Sequence, residues 1–391
     1  MENLNIVFAA DYIAPSPGAF IRSLELLSDA IKKNGGRVAY LFSVERDYLK
    51  RLKKYGNVYL CDKTANKLFS ISSLINMAHA LREIRGQVVH IQFLGLAYLL
   101  SAVILKFFYH HKIIVHYRNP PVSLLKGSKL RHRFSPLFYH LLNLFFIDAN
   151  VVISESIKKM LVERNFARPH KIAVIYNGID PEVIKNDSVK AERILEEKLG
   201  IELSGRFVVG MIANFSPQKD HATVINAASI LTKKFPDIFF IFVGSEKIVE
   251  GKGYMEKAKS YVADKNLKNY IYFAGEMNNV YEIIPRFDIG LLISNFEGFG
   301  NALIEYALAG KPAIGTAVGG IKEIIIDGEN GFLIPPGDHQ KLAEKIELFI
   351  TNARLKEEMG LTARKIALER FSLDTWVKNI LSLYARVLNT E

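Results

Sequence analysis

Ile289-Gly290-Leu291-Leu292-Ile293-Ser294-Asn295-Phe296-Glu297-Gly298-Phe299-Gly300-Asn301-Ala302-Leu303-Ile304-Glu305 is the stretch on which the fold turns. Its first five residues read as a buried strand that delivers the chain to a sheet edge. Gly298 and Gly300 then permit a tight backbone path close to a ligand. A helix is expected to begin near Gly300, and its first N–H groups and positive dipole end form a seat for a pyrophosphate. Glu297 precedes that helix and Glu305 lies more than one turn inside it. The two carboxylates would thus sit at different depths of one site, which suits hydroxyl groups on two ends of an extended ligand. Glycine-rich strand-to-helix turns are common and exposed glutamates are usually just solvated, so the residues alone leave both readings standing.

Outward from this stretch the chain alternates short apolar runs with helical patterns. On the N-terminal side strands are expected at 6–10, 37–42, 88–92, 113–116, 149–153 and 172–175, with helices such as 21–34 and 137–146 between them. The pattern breaks into a turn at Tyr176-Asn177-Gly178-Ile179-Asp180-Pro181, and a charged, linker-like helix follows at 189–199. It then restarts with strands at 207–212, 239–243, 271–273, 289–292, 313–315 and 331–334, and closes with two helices, 339–349 and 373–388. Alternation of this kind specifies an α/β architecture of two doubly wound parallel sheets facing across a cleft. In open sheets of this type ligands bind outside the carboxyl ends of the strands.

Composition narrows the function. Hydrophobic residues make up 49% of the 391 and charged residues 23%, the balance of a soluble globular protein with large cores. One cysteine, Cys61, can form no disulfide within the chain, which points to a reducing compartment. The start, Met1–Asn5, lacks the basic opening of a signal peptide, and the longest apolar run, 93–105, is too short to span a bilayer and fits a buried helix. A cytoplasmic location follows as the expectation. The net charge of +11 is unevenly spread: residues 1–170 hold 24 Lys and Arg against 11 Asp and Glu, and residues 171–391 hold 27 against 29. An anionic surface or ligand facing the first part alone would explain this. The stretches Lys50-Arg51-Leu52-Lys53-Lys54 and 126–133 carry much of the excess, and aromatic-rich residues 134–142 follow the second. Region 126–133 reads as a surface for anionic lipid headgroups, giving peripheral membrane association. The competing reading is a core face with solvated cations. Nucleic acid is not expected as a partner, because no recognition motif accompanies the charge.

Lys219, in Asn214-Phe215-Ser216-Pro217-Gln218-Lys219 after strand 207–212, is the next candidate. An ammonium there could neutralise a pyrophosphate leaving group as charge develops on it, although most lysines are simply solvated. The segment Glu297-Gly-Phe-Gly-Asn-Ala-Leu-Ile-Glu305 resembles the Glu-x7-Glu motif of the retaining family 4 glycosyltransferases, whose fold is GT-B. The resemblance extends over nearly the whole chain. Ala309-Gly310-Lys311-Pro312, Gly319-Gly320, Glu323-Ile324, Asp327 to Gly331 and Pro336-Gly337-Asp338 stand in the family's order downstream, with Asn177 to Asp180 and Ser154 upstream. It implies domains at 1–183 (acceptor-binding) and 184–372 (nucleotide-sugar-binding), with residues 373–391, including Trp376, packing back on the first. It further implies that Glu305 bonds the ribose hydroxyls and Glu297 those of the donor sugar. Backbone groups of Gly298, Phe299, Gly300 and Asn301 would hold sugar and pyrophosphate, with Lys219 on the phosphates. Asn214 stands where many members carry an arginine, so one cation of the usual pair is missing. In the first domain Gly18, in Pro15-Ser16-Pro17-Gly18-Ala19-Phe20, resembles the loop over the donor phosphates, though the usual second glycine is Ala19. His116 stands where the family places a histidine beside the donor sugar. Arg118 is an alternative cation, and His90 is a candidate for the acceptor side.

Absences also discriminate. No Asp-x-Asp motif and no Cys/His cluster of zinc spacing occurs, so neither metal nor other cofactor is expected. Lysine, helix end and backbone amides would do the work of a divalent ion. No Gly-x-Gly-x-x-Gly and no P-loop motif is present, which disfavours nicotinamide and NTPase chemistry. The expected activity is transfer of a sugar from a nucleoside diphosphate sugar to the hydroxyl of a glycan or lipid-linked glycan, with retention, in cell-surface polysaccharide, lipopolysaccharide or glycolipid synthesis. The alternatives are a sugar-nucleotide epimerase, a phosphorylase, or a non-catalytic scaffold of the same fold.

Overall fold

The computed structural model describes residues 3–14, 18–61, 70–93, 96–118, 138, 140–246, 253–277 and 279–389. The basic stretch 126–133 and loop residues 15–17 lie outside the described residues. The chain forms two compact units, Met1–Asp180 with Leu373–Glu391, and Pro181–Ser372.

Unit 1 is built on a seven-stranded parallel sheet. Its strands are β1 (Asn5–Ala10), β2 (Arg37–Phe42), β3 (Val58–Leu60), β4 (Val88–Gln92), β5 (Lys112–Tyr117), β6 (Ala149–Val152) and β7 (Ile172–Val174), ordered β3-β2-β1-β4-β5-β6-β7. Unit 2 has six parallel strands, β8 (Phe207–Ile212), β9 (Ile238–Val243), β10 (Ile271–Gly275), β11 (Ile289–Leu292), β12 (Ala313–Thr316) and β13 (Gly331–Ile334), ordered β10-β9-β8-β11-β12-β13. Helices cover both faces, so the strands are buried on both sides and read as continuous apolar runs; every residue of β4 and β9 is buried. In each sheet the chain winds outward from the first strand and then crosses to its other side. The reversal falls between β1 and β4 in unit 1 and between β8 and β11 in unit 2. At such switch points the loops leaving the carboxyl ends diverge and open a crevice.

Three differences from the expected elements have physical reasons. The edge strand β3 is only three residues long, too short to show a period. Three helices, not two, close the chain, because Ala353–Phe371 lies between His339–Thr351 and Leu373–Asn389. Its buried residues are Met359, Gly360, Ala363, Ala367 and Phe371, mostly small, so it carries little apolar signal. The smallness serves close approach: a Cβ on Gly360 would lie 2.2 Å from the Gly310 carbonyl oxygen. Third, the apolar run at 93–105 becomes helix Leu96–Tyr109, buried on one face only. Its far end exposes Phe107 (68%) and Phe108 (74%).

The helix Leu373–Asn389 belongs to unit 1, where Trp376, Ile380, Leu383 and Tyr384 join the core beneath β1 and β2. Burying each such side chain contributes roughly 1.5–3 kcal/mol. The linker-like helix is Ser188–Leu199, capped by Asp187, which accepts from Lys190 N at 2.9 Å, and ended by Gly200 at φ +68°.

Candidate active site

At the switch point of unit 2 two loops are tied together before any side chain is considered. Asp220 N donates to Ile293 O (3.0 Å), and Asn295 N donates to Gln218 O (2.9 Å). The loop after β11 is pinned from the other side as well. Ser294 N donates to Thr316 Oγ1 (3.0 Å), whose hydroxyl donates back to Ser294 O (2.7 Å), both residues being fully buried. Gly320 N donates to Glu297 O at 3.1 Å. Gly319, at φ +48°, passes so close that a Cβ there would sit 1.8 Å from that same oxygen. The Gly319-Gly320 pair therefore acts as a rest on which the Glu297 loop lies.

Held in this way, the Lys219 ammonium donates to the Glu297 carboxylate, with Ser294 Oγ donating to the same oxygen at 3.4 Å. Both side chains retain 15% exposure, enough to meet a ligand. The helix Asn301–Leu308 begins at Gly300 (φ +113°), and no side chain caps it. Glu305 lies in its second turn. Burial pushes the Glu305 carboxyl up to about 7, a hydrogen bond with Tyr281 partly opposing the shift.

Asn214, Lys219, Glu297, Gly300, Asn301 and Glu305 line one cavity of about 360 Å³. Gly298 and Phe299 supply backbone: Phe299 turns its ring into the core against Phe371, 5.8 Å away. Lys219 is the one cation among the described lining residues, so no other described side chain there substitutes for the arginine that Asn214 replaces. The cavity also takes in Gly244, Ser245, Glu276 and Met277, which sequence reasoning missed. They follow β9 and β10, and the sign that could have found them was another glycine past a strand end. Gly244 has φ +150°, and a Cβ there would sit 2.1 Å from Ala213 O.

The candidates in unit 1 lie around that unit's own switch point. Gly18 (φ +52°) opens the helix Gly18–Lys33. His116, at the end of β5, is wholly buried, stacked on His90 (5.4 Å, 10°), and neither ring nitrogen has a hydrogen-bond partner. Burial, then Arg118, holds its imidazole well below the usual histidine range. His90, the acceptor-side candidate, is likewise wholly buried and hydrogen-bonds the Tyr384 hydroxyl at 2.5 Å, joining β4 to the last helix. Burial lowers it to about 3. Burial also pulls the Arg118 guanidinium down to about 9, leaving it charged at neutral pH. In the basic stretch 50–54, Arg51 makes a two-pronged pair with Glu25 (2.7 Å each) and Lys50 pairs with Asp47 (2.8 Å). Part of that charge is thus answered within the unit. Among the described residues no group of three His, Cys, Asp or Glu is placed to hold a metal, and no helix is long and apolar enough to cross a membrane.

Residues 195–366 match the family model of glycosyl transferases group 1, and residues 22–183 match that of glycosyltransferase family 4. The chain is 29% identical over 243 residues to the capsular polysaccharide biosynthesis glycosyltransferase of Staphylococcus aureus, covering 60% of each chain. It therefore spans about three fifths of that relative's length. To the N-acetyl-alpha-D-glucosaminyl L-malate synthase of Bacillus anthracis it is 26% identical over 350 residues, covering 87% of each. The crystal structure of Anabaena HepE in complex with UDP has the same fold, with a TM-score of 0.78 at 22% identity over 98% of this chain and 100% of that one. Two sheets each wound in the same order, a glutamate pair and a lysine about one crevice, and family models matching most of the chain agree: the protein belongs to glycosyltransferase family 4, of the GT-B fold.

Proposed function

We propose that the protein transfers a sugar from a nucleoside diphosphate sugar to an acceptor hydroxyl, with retention of configuration and without a metal. The observation that carries this is a cavity at the β8–β11 switch point that joins Lys219, Glu297, Glu305 and the start of helix Asn301–Leu308. Glu305, deep in the wall, offers a carboxylate to ribose hydroxyls. The helix start and Lys219 take the diphosphate, and positive charge there stabilises the leaving group as its bond to the sugar breaks. Glu297, whose other partner is Lys219, is placed to accept hydrogen bonds from the sugar. Retention is the reading drawn from the family, and a uridine sugar donor heads the panel because the HepE structure holds UDP. Thermal stabilisation by nucleoside diphosphates and their sugars, in the presence of a chelator, tests it. Stabilisation by one base series, lost in Glu305→Ala, is the expected result. A flat panel with folded protein would move weight to a scaffold role.

In this reading the acceptor is a cell-surface glycan or its lipid-linked precursor, in keeping with a relative named for capsular polysaccharide biosynthesis. A peripheral membrane position fits an exposed apolar surface on unit 1, formed by Phe107 and Phe108 at the end of helix Leu96–Tyr109 with Phe138, Leu141 and Phe145 nearby in sequence to Phe146, which packs on Phe107 at 5.9 Å. Side chains of this kind bury into the headgroup boundary while neighbouring cations meet anionic lipid. Co-sedimentation with phosphatidylglycerol vesicles should fall several-fold in Phe107→Ser/Phe108→Ser. Unchanged binding there, and after neutralising Lys129, Arg131 and Arg133, would remove the membrane from the account.

A further inference from the structure

The switch point of unit 1 carries a charge that no described acid in that unit answers. Arg118 follows β5, and its Nε donates to Gln92 Oε1 at 2.8 Å. Nη2 reaches Ser23 Oγ at 3.3 Å and Nη1 reaches Asn177 Oδ1 at 3.5 Å. All three acceptors are neutral, two of the bonds are long, and a guanidinium has five N–H hydrogens to place. No carboxylate among the described residues pairs with it, and the acids on neighbouring stretches are held elsewhere: Glu25 by Arg51 and Asp180 by Arg22. The rings of Phe20 and Trp376 lie 5.0 Å and 5.4 Å from its guanidinium carbon. Ring faces offset part of the cost of burying a cation, but they leave its N–H edge unanswered.

Two further observations point the same way. Gln92 Nε2 and both His116 ring nitrogens are buried without hydrogen-bond partners, and Gln92 and His116 face each other in the β4–β5 register. Buried polar atoms of this kind are rare unless something else meets them. The helix Gly18–Lys33 also brings its first turns to the guanidinium through Phe20 and Ser23, and it has no acidic residue in its first turn. A helix start and an arginine are both positive, and they repel unless an anion lies between them.

We propose that Arg118 is the seat of an anionic oxygen group, phosphoryl or carboxylate, on the sugar acceptor, and that it selects charged acceptors over neutral ones. The word acceptor rests on the glycosyltransferase reading; the anion seat does not. The sugar donor's diphosphate is the less suitable occupant, because the unit 2 cavity has its own lysine and helix start for it. The excess of positive charge also lies in residues 1–170.

The test uses the full chain with UDP at saturation, inorganic phosphate as the probe, constant ionic strength, and calorimetry or thermal shift as readout. Phosphate should bind the wild type saturably and at least tenfold more weakly in Arg118→Gln, while UDP affinity stays within twofold. Equal phosphate binding in both proteins overturns the proposal. So does a fivefold or larger loss of UDP affinity in Arg118→Gln, since Arg118 would then serve the sugar donor. Should Arg118→Gln fail to fold, Arg118→Lys keeps the charge and loses the fork: several-fold weaker phosphate binding supports the seat, and unchanged binding overturns it. If UDP binds neither protein while phosphate still depends on Arg118, the glycosyltransferase reading falls and the anion seat stands.

Discussion

The proposed seating of the donor's ribose on Glu305 makes sugar-donor binding a proton-linked event with a calculable size. Burial raises its carboxyl to about 7, so near pH 6 the unliganded protein holds a proton there about nine times in ten. Ribose hydroxyls donate to a carboxylate and stabilise its charged form, so binding should expel that proton. With a bound-state value returned to the ordinary carboxylate range, affinity rises by about tenfold between pH 6 and pH 8, or about 1.4 kcal/mol, and flattens above pH 8. The sign for folding runs the opposite way. A raised carboxyl adds stability that is complete below its unfolded value of 4.5 and is lost as pH climbs through about 7. The empty protein thus loses some stability over the range in which the complex gains affinity. Calorimetry with UDP-glucose suits the measurement, because a diphosphate diester has no group titrating between pH 6 and pH 8. Titrations in MES and in bis-Tris, which both buffer at pH 6 and differ in ionisation enthalpy, should report about 0.9 proton released at pH 6. Glu305→Gln should bind more weakly and release none. Equal affinities at pH 6 and pH 8, with no proton released by the wild type, would refute the assignment of Glu305 to the ribose.

The other predictions concern the loops and the acid limb. Lys219→Ala should leave folding intact by circular dichroism and lower turnover about 10²–10³-fold, the cost of removing one charge that stabilises a leaving group, in initial-rate assays with the donor the panel identifies. Gly319→Ala should displace Glu297 through its carbonyl, costing about 1–3 kcal/mol in urea unfolding and at least about tenfold in turnover. Gly205→Ala, also at positive φ but with open space around it, should keep turnover unchanged. Unit 1 should be the acid-labile half. It buries His90, His111 and His116 with lowered values, while unit 2 buries His221 and is offset by Glu305. Depressed histidines add stability that is present above about 6.5 and lost as pH falls towards their folded values. Between pH 7 and pH 5.5 the three together cost about 4 kcal/mol, which hydrogen exchange should show as faster opening of β4 and β5 than of β8 and β11.

How far this molecule can be read from its sequence depends on whether a feature is local. A strand buried on both faces is a run of apolar residues and nothing else, so β2, β4, β8, β11 and β13 stand at their expected bounds. A helix that packs through Gly360, Ala363 and Ala367 has no such run, and Ala353–Phe371 went unread. The glycines and charges around Glu297 announce a ligand loop because they sit next to a strand end. That Lys219 and Glu297 form an ion pair could not be seen, since 78 residues separate them and only the return of β11 beside β8 joins their loops. Gly319 is visible as a glycine, but its reason, an oxygen 1.8 Å from where a Cβ would stand, belongs to packing. The same divide explains Arg118. Arginine is ordinarily read as a solvated charge, and what distinguishes this one is that no described carboxylate pairs with it. Missing partners have no position in a sequence; they emerge only when β4, β5 and the helix Gly18–Lys33 converge. Both switch points then pose one physical question, which is what neutralises a cation that the winding of the sheet has placed at its crevice. In unit 2 the answer within the protein is Glu297, a carboxylate that a bound diphosphate can relieve. In unit 1 no described carboxylate gives an answer, and for that reason Arg118 is the residue whose replacement says most about the acceptor.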